Sequence, residues 1–454
     1  MKVLVISAGL GPLRGGGLIA YVEEMIGGLR SLGHEIVYLN MNGRSALPFT
    51  YVKDEIVDHK KYTIYNSGLY VDGERGTLEP LRQVYPSRRV RRIVDRILRE
   101  EQPDIIHIHE LLGFPVALLE HLKQKNQKVI FTAHDYYALC PTIKLFKKDL
   151  KNCSLGNAEL TCKECCANAN FSWEVRAHDV IDRIQKRVVR GTRLWRLMRK
   201  EIQSVSSILN RYFVRPHGYV ARRLEFLKYL KFPDAVVAVS ALQLSNMKAV
   251  LGEQSNLRYM YLARQTFGSH PVKSAPQTPA NKKVVFVALN VHMPAKGSKL
   301  LENVFSNLAS RYQNFELRMY GASGNSTSAI KYMGVEYRPT DLDDIVRSAD
   351  FGIVPSLWHE TYGYVGPEML SRGLPLIVSS TGAMVEYVED GKNGLVFDPS
   401  DENNLTILIE KILNDPSFRM QIAASTLQSC DRFMQFSDHL RDVENLYLEI
   451  RNAA

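Results

Sequence analysis

The chain has 454 residues, too many for one ordinary core, so two or three domains are expected. Its 45% hydrophobic and 23% charged residues are typical of a globular protein, and no apolar run approaches the length of a membrane-spanning helix. The opening residues indicate a buried first strand rather than a signal peptide, and the six cysteines are too few and too unevenly placed for a secreted disulfide scaffold, so the sequence predicts a cytoplasmic protein.

Positive charge is concentrated in one part of the chain. The 58 Lys and Arg against 48 Asp and Glu give a formal net charge of +10. Residues 174–231 alone hold fifteen Lys/Arg and five Asp/Glu, a difference equal to the excess of the whole chain. This segment predicts an anionic partner: a lipid head group, a nucleic acid or a phosphorylated substrate.

Apolar runs alternate with helical patterns along the first half of the chain. Nearly continuous apolar runs are typical of parallel strands that helices cover on both faces, so this half predicts a doubly wound α/β domain. The predicted strands are 2–6, 34–40, 104–110, 128–135 and 235–240, with a helix at 18–32 after the first.

A second α/β domain follows a Pro-, Ser- and Thr-rich segment that reads as a linker. We therefore expect an N-terminal domain (1–265) with a basic insert (about 170–231), a linker (266–282), a C-terminal domain (283–430), and a final segment (431–454) whose helix packs back on the N-terminal domain. The predicted elements of the second domain are strands 283–289, 315–321, 350–356, 374–380 and 394–397 and a helix at 299–312. Two such domains would face each other across a cleft at the carboxyl ends of their strands, where ligands bind.

The first loop of the predicted cleft is rich in glycine. Gly15, Gly16 and Gly17 precede a helix, where the backbone can approach a ligand and the free N–H groups can bind an anion. The spacing differs from the G-x-G-x-x-G fingerprint, and no suitable acid ends the second strand, so NAD is discounted. A plain tight turn is the alternative.

Two further strand ends carry single polar residues. His134 ends an apolar strand and is a candidate for contact with a ligand in the cleft, although a structural histidine is the commoner case. Lys296 and Gly297 precede a helix, where a lysine can meet a phosphate with help from the helix dipole. In isolation, a solvated lysine is the simpler interpretation.

A pair of glutamates stands in the segment PSLWHETYGYVGPEMLSRGLPLIVSS. Gly363 and Pro367 interrupt the segment between them, which places Glu360 in a loop and Glu368 in the first turns of a helix. One carboxylate can then accept hydrogen bonds from sugar hydroxyls, and the other can take both hydroxyls of a ribose. Two ordinary solvated or capping glutamates are the alternative.

These motifs resemble those of retaining nucleotide-sugar glycosyltransferases of family four, which have the GT-B architecture of two Rossmann-like domains. The resemblance covers most of the chain except roughly 170–230. Its most specific element is E-x7-E, here Glu360 and Glu368. The accompanying residues of the same C-terminal segment are Gly373, Pro375, Gly382, Glu386 and Gly394, and the earlier matches are Gly16, Gly17, His134 and Lys296.

The resemblance implies roles for these residues. Glu368 would bind the donor ribose, Glu360 and His134 the donor sugar, and Lys296 the departing diphosphate. The base would stack near Tyr337 or Arg338. The backbones expected to approach the diphosphate and the sugar belong to Gly16, Gly17, Gly363, Tyr364 and Val365.

The sequence departs from the family pattern before Lys296. Family members usually carry an arginine there, whereas this chain reads VFVALNVHMPAKG, and Arg14 or Arg264 would have to compensate for it. There is no convincing D-x-D motif, and a lysine with helix dipoles can stabilise the leaving group. The sequence therefore predicts no catalytic metal.

Two features lie outside the donor site. Cys140, Cys153, Cys162 and Cys165 fall in one loop region and are candidates for a structural zinc, with reduced free thiols as the alternative. The basic segment 174–231 interleaves Trp, Phe and Leu with Arg and Lys, which favours contact with an anionic membrane surface over nucleic acid. A solvated basic face and a plain helical hairpin are the alternatives.

The resemblance, with the motifs that carry it, therefore implies a retaining, metal-independent glycosyltransferase that uses a UDP- or GDP-sugar. Its acceptor would be a saccharide or a lipid-linked molecule in bacterial surface polysaccharide synthesis. A nucleotide-sugar epimerase and a nucleotide-sugar-binding protein on the same fold remain alternatives, and a nucleic-acid-binding protein ranks last.

Overall fold

A computed structural model describes residues 1–10, 16–43, 45, 47, 49–56, 58–67, 75–155, 158–169, 218–254, 256–267, 271–273, 283–334, 337–429 and 435–453. Arg14, Gly15, Cys430 and most of the predicted linker and basic insert lie outside these residues. Within the described residues, no helix has the length and apolar character needed to cross a membrane.

The N-terminal domain is built on an eight-stranded sheet. All neighbouring strands are parallel except the β3–β4 pair. The order is β3-β4-β2-β1-β5-β6-β7-β8, so the chain turns to opposite sides of β1. The strands are β1 (Lys2–Ser7), β2 (Glu35–Gly43), β3 (Tyr51–Ile56), β4 (Lys60–Tyr65), β5 (Ile105–Ile108), β6 (Val129–Ala133), β7 (Ala235–Ala238) and β8 (Leu257–Tyr259).

Helices cover both faces of this sheet because its strands are apolar on both sides. Leu4 and Ile6 of β1 join one buried cluster, and Val3 and Val5 of the same strand join another. The helices are α1 (Gly17–Ser31), α2 (Arg88–Glu101), α3 (Leu118–Gln124), α4 (Ala158–Cys165), α5 (Gly218–Tyr229) and α6 (Ala241–Leu251).

The C-terminal domain repeats the plan with a six-stranded parallel sheet in the order β11-β10-β9-β12-β13-β14. Its switch point lies where the chain leaves β9 for either side, the usual place for a ligand. The strands are β9 (Val284–Ala288), β10 (Phe315–Met319), β11 (Ile330–Tyr332), β12 (Phe351–Val354), β13 (Leu376–Ser379) and β14 (Gly394–Phe397). The helices are α7 (Ser298–Leu308), α8 (Leu342–Arg347), α9 (Val365–Leu370), α10 (Glu402–Asn414) and α11 (Pro416–Ser429).

The last helix, α12 (Phe436–Asn452), packs on the N-terminal domain. The Tyr21 hydroxyl of α1 lies 2.8 Å from His439 Nε2, and the Tyr447 hydroxyl lies 2.7 Å from His107 Nδ1 in β5. Both contacts are buried. The chain therefore crosses between the domains twice.

The predicted fold class, two doubly wound α/β domains, is confirmed. The predicted strands coincide with β1, β2, β5–β7, β9, β10 and β12–β14 to within a few residues. The sequence reading missed β3, because YVKDEI has four exposed residues and no apolar run. It also extended the helix after Lys296 to residue 312, whereas α7 ends at Leu308.

Candidate active site

Glu360 lies in the loop after β12 and forms an ion pair within its own domain. Lys296 Nζ lies 2.5 and 2.7 Å from the two carboxylate oxygens, and the Ser356 hydroxyl donates to Oε2 at 2.6 Å. The glutamate is 8% exposed. The structure thus brings together the predicted sugar-binding acid and the predicted phosphate-binding lysine.

Lys296 is positioned by a short turn before α7. Residues Pro294–Lys296 form one 3-10 turn, and Gly297 then adopts a left-handed conformation with φ +79°. The lysine Nζ lies 5.4 Å from the centre of the Trp358 ring, which completes its surroundings on the side of the Glu360 loop. The aromatic face and the carboxylate together hold the ammonium group in one position.

Glu368 lies in α9 and pairs with an arginine of the N-terminal domain. Arg264 Nη1 is 2.5 Å from Glu368 Oε1, and Arg264 Nη2 is 2.7 Å from Oε1 of Glu24 in α1. The Thr266 hydroxyl also donates to Glu368 Oε1, at 3.3 Å. Burial raises the pKa of Glu368, and the positive charges of Arg264 and Arg372 oppose that rise.

His134 follows β6 directly and faces the C-terminal domain. Its Nε2 lies 3.1 Å from His109 Nδ1, and its Nδ1 lies 3.3 Å from the Tyr364 hydroxyl. The Thr361 hydroxyl donates to the His134 carbonyl at 2.7 Å. Burial and the charges of other histidines lower the pKa of His134 to about 3, so the ring is neutral at neutral pH.

The two glycine loops meet across the cleft at Tyr364. A Cβ on Gly17 would lie 2.4 Å from Cδ2 of the Tyr364 ring, so the ring packs directly on the backbone at the start of α1. Gly16, with φ +119°, is the residue that caps α1, and it has open space around it. On the opposite loop, Gly363 has φ +76°, and Val365 begins α9.

The two candidates for base stacking differ in exposure. Tyr337 is half-buried and lies edge-on to Tyr320, with ring centres 6.0 Å apart. Burial raises the pKa of Tyr337 most, and the negative charge of Glu368, the predicted ribose-binding acid, raises it further. Arg338 points to solvent and pairs with Asp341 at 2.8 Å.

Glu386, like Glu368, extends from the C-terminal domain to the N-terminal domain. Both carboxylate oxygens of Glu386 accept hydrogen bonds at 2.9 Å from the backbone N–H groups of Ala241 and Leu242. These groups lie in the first turn of α6, where the helix dipole favours a negative charge. Glu386 therefore links the two domains beside the candidate site.

The predicted zinc site is not assembled. Among the described residues, no three His, Cys, Asp or Glu side chains are grouped so that they could hold a metal ion. The four named cysteines all have free thiols: Cys140, Cys153, Cys162 and Cys165. Burial, followed by the charges of neighbouring cysteines, raises the pKa of Cys162 to about 12.

Sequence reasoning named Arg264 only as a possible substitute cation and missed Glu24 and His109. Glu24 and Arg264 are 240 residues apart, and no local pattern marks either one. The one available signal was the histidine spacing around β5, because His107 lies in the strand and His109 directly follows its carboxyl end. Arg14, the other candidate substitute, lies outside the described residues.

Comparison with known proteins agrees with the fold. Residues 271–428 match the family described as glycosyl transferases group 1, and residues 15–159 match glycosyltransferase family 4. The structure superimposes on sucrose-phosphate synthase from Thermosynechococcus elongatus with a TM-score of 0.64 and 15% identity over the whole of both chains. The chain has the GT-B fold, in which two Rossmann-like domains face each other.

Other relatives share this GT-B fold or parts of the sequence. HepE from Anabaena, solved with UDP, gives a TM-score of 0.60 at 12% identity, with 99% of this chain and 100% of that chain covered. A D-inositol 3-phosphate glycosyltransferase from Stackebrandtia nassauensis is 31% identical over 93 residues, which are 20% of this chain and 21% of that protein. The chain thus matches only about a fifth of that curated relative.

Proposed function

We propose that the protein is a retaining glycosyltransferase that takes a sugar from a UDP- or GDP-sugar. One observation carries the proposal. Two glutamates in E-x7-E spacing lie at the carboxyl edge of the C-terminal sheet, each paired with a cation, and Thr361 and Tyr364 between them contact a neutral histidine, His134, at the carboxyl edge of the other sheet. The GT-B fold puts this arrangement in the cleft between its domains.

The donor would lie along the C-terminal side of the cleft. Glu368 would accept hydrogen bonds from the ribose hydroxyls, with Tyr337 or Arg338 against the base, and Glu360 would accept bonds from the sugar. Lys296 already lies at Glu360, so its charge would be next to the diphosphate as the bond to the anomeric carbon breaks. A fixed cation aimed at the developing charge stabilises the transition state.

The remaining contacts would come from backbone and histidine. The start of α1 at Gly16 and Gly17 has no acidic residue in its first turn and no side-chain cap, which suits an anion there. The N–H groups of Gly363, Tyr364 and Val365 would approach the same diphosphate. His134, as a neutral ring, would contact the donor sugar near the anomeric centre, with donor and acceptor on one face of the sugar. These residues supply the leaving-group stabilisation without a catalytic metal.

The acceptor would bind on the N-terminal side. We propose a saccharide or a lipid-linked acceptor of bacterial surface polysaccharide synthesis, reached from an anionic membrane surface. Of the basic segment 174–231, residues 218–231 are described, and there Arg222 and Phe226 are buried in the core of the N-terminal domain, so these two residues are not available to a membrane surface. The described helix α2 of the same domain supports this orientation, because all six of its arginines are exposed: Arg88, Arg89, Arg91, Arg92, Arg96 and Arg99.

The experiment that tests the donor assignment is thermal unfolding with UDP-, GDP- and ADP-sugars. A ligand that binds only the folded state raises Tm by mass action. We expect one nucleotide family to stabilise the wild type and to lose most of its effect on Glu368→Gln and Glu360→Gln. Glu410→Gln, which alters a carboxylate of α10 paired with Arg311, is the control and should respond like the wild type.

Two outcomes would contradict the proposal. If none of the sugars stabilises the wild type at millimolar concentration, the assignment of Glu360 and Glu368 loses its basis. If nucleotide binds but no acceptor mixture yields product, the binding-protein alternative replaces the transferase. Turnover of the donor alone to another nucleotide-sugar would instead identify an epimerase. The anomeric configuration of an isolated product, measured by NMR, tests retention.

A further inference from the structure

Three side chains from separate parts of the chain form one ion triad, Glu24–Arg264–Glu368. Arg264 is 5% exposed, and its two terminal nitrogens pair with Glu24 of α1 and Glu368 of α9 at 2.7 and 2.5 Å. Its Nε also donates to Glu24 Oε2, at 3.4 Å. One guanidinium therefore joins the helix that starts at the glycine loop to the helix that carries the second acid of E-x7-E.

The geometry leaves one side of the Glu368 carboxylate for a ligand. The bonds from Arg264 and Thr266 both end on Oε1. Within the described part of the chain, no hydrogen bond to Oε2 is formed. A ribose that offers two hydroxyls needs this second oxygen and needs it unprotonated, because a carboxylic acid has lost acceptor capacity.

We propose that Arg264 is a positioning residue of the donor site, which holds the Glu368 carboxylate ionised and oriented for the nucleotide ribose. This inference rests on the proposed function. In it, Arg264 acts on the nucleoside end of the donor, and Lys296 acts on the diphosphate.

The charges around Glu368 support this role. Its burial raises its pKa, and a cation must offset that rise if the group is to stay ionised. Arg372 contributes but is also committed to Asp343, at 2.7 Å, and to the carbonyls of Thr266 and Glu368. The titratable and charged groups around Glu368 are Arg264, Arg372, Glu24, Tyr337 and Tyr364.

The test measures the dissociation constant of UDP and of GDP from pH 5 to pH 8 by calorimetry. In the wild type, affinity falls as the pH drops through the pKa of Glu368. Arg264→Leu removes the offsetting charge, so the fall should begin at higher pH, and affinity at pH 7 should weaken by about tenfold or more. With donor and acceptor present, we expect KM for the donor to rise and kcat to change little, since the bond is made to the ground-state nucleotide.

Two further variants keep the test decisive if Arg264→Leu folds poorly. Arg264→Lys retains the charge but loses the two-armed geometry, so its affinity should drop while the pH of onset stays as in the wild type. Glu24→Gln removes a negative charge that raises the pKa of Glu368, so its onset should move to lower pH. Arg258→Leu, at a partly exposed arginine in β8 of the same segment, is the control and should match the wild type.

The outcomes separate this inference from the proposed function. If the wild type binds neither nucleotide, the proposed function fails. If it binds and Arg264→Leu has the same affinity and pH profile, Arg264 has only a structural role and the inference is wrong. Tighter binding by Arg264→Leu would also overturn it, because Arg264 would then compete with the ribose for Glu368.

Discussion

At the scale of single residues, the position of Lys296 depends on the glycine after it. Gly297 has a left-handed backbone, and a Cβ there would lie 2.1 Å from the carbonyl oxygen of Pro355. That contact cannot be relieved by a side-chain rotation, because the opposing atom belongs to the backbone before the Glu360 loop. The glycine thus fixes the spacing between the loop that carries the cation and the loop that carries the acid.

Gly297→Ala should therefore be far more damaging than an ordinary left-handed glycine replacement. Gly391 has nearly the same φ, +77°, and open space around it. Gly391→Ala therefore measures the cost of the left-handed backbone alone, about 1–2 kcal/mol of the free energy of unfolding. We expect Gly297→Ala to lower the free energy of unfolding by about 1–3 kcal/mol more, through overpacking, and to weaken nucleotide-sugar binding. Equal losses in denaturant unfolding of the two variants would contradict this account.

How far the site follows from the sequence differs among its residues. Glu360, Glu368 and Lys296 stand in local patterns after apolar strands, so their meeting at one sheet edge can be predicted from strand order alone. The partner of Glu368 cannot, because Arg264 reaches it across 104 residues from the other domain. The stacking of Tyr364 on Gly17 likewise depends on how the two domains meet.

At the scale of elements, α12 is attached to the N-terminal domain through buried polar rings. His439 and Tyr447 on the helix contact Tyr21 and His107, and the ring centres of His107 and His109 lie 3.9 Å apart. Burial lowers the pKa of His107 to about 3 and that of His439 to about 4. These rings connect the returning helix to His134 in the candidate site.

The histidines predict that stability falls in mild acid. Their pKa values are lower in the folded protein than the ordinary value near 6.5, so the unfolded chain binds more protons. The buried histidines make their whole contribution to the free energy of unfolding above about pH 6.5, and this contribution decreases as the pH falls toward 4. At pH 5 the loss is roughly 2 kcal/mol per buried histidine. Chemical denaturation at pH 7 and pH 5 measures this.

A histidine variant tests the cause. His439→Phe keeps a ring of similar size and should reduce the loss between pH 7 and pH 5, whereas His292→Gln, at an exposed position, should leave it unchanged. An unaltered loss in His439→Phe would show that other groups produce the acid sensitivity.

The element pattern also shows where sequence reading ends. Buried parallel strands are visible as apolar runs, because both of their faces are covered. The β3–β4 hairpin at the sheet edge does not show as an apolar run, since β3 is half polar and largely exposed. The sequence of α2 combines arginines with apolar residues. That pattern alone does not identify the partner of the exposed face of the helix.

At the scale of the whole molecule, the charge is asymmetric. The arginines of α2 lie close to exposed apolar side chains, namely Leu81 and Tyr85 just before the helix, and Phe49, whose ring lies 5.3 Å from the guanidinium carbon of Arg89. Exposed basic and apolar side chains in one region suit an anionic lipid surface. The N-terminal domain would thus carry the acceptor side toward the membrane.

We expect the protein to cosediment with vesicles of anionic lipid, to bind neutral vesicles poorly, and to be released by salt. Arg88→Gln, Arg91→Gln and Arg92→Gln together should weaken binding by about a hundredfold, at about 1 kcal/mol for each charge. The same charge change on the C-terminal domain, at Arg311, Arg318 and Arg347, is the control. If both triple variants lost vesicle binding equally, net charge alone would explain the binding, and the proposal of a defined binding face would be wrong.

The return of α12 makes the C-terminal domain an insertion within the N-terminal one. A chimaera that borrows this domain from a relative therefore needs two junctions, one near residue 267 and one near 435. A chimaera with only the first junction would also carry the last helix of the relative. Tyr21 and His107 would then contact side chains other than His439 and Tyr447. We therefore expect a chimaera with both junctions to fold and to take the nucleotide specificity of the relative, and a chimaera with only the first junction to fail.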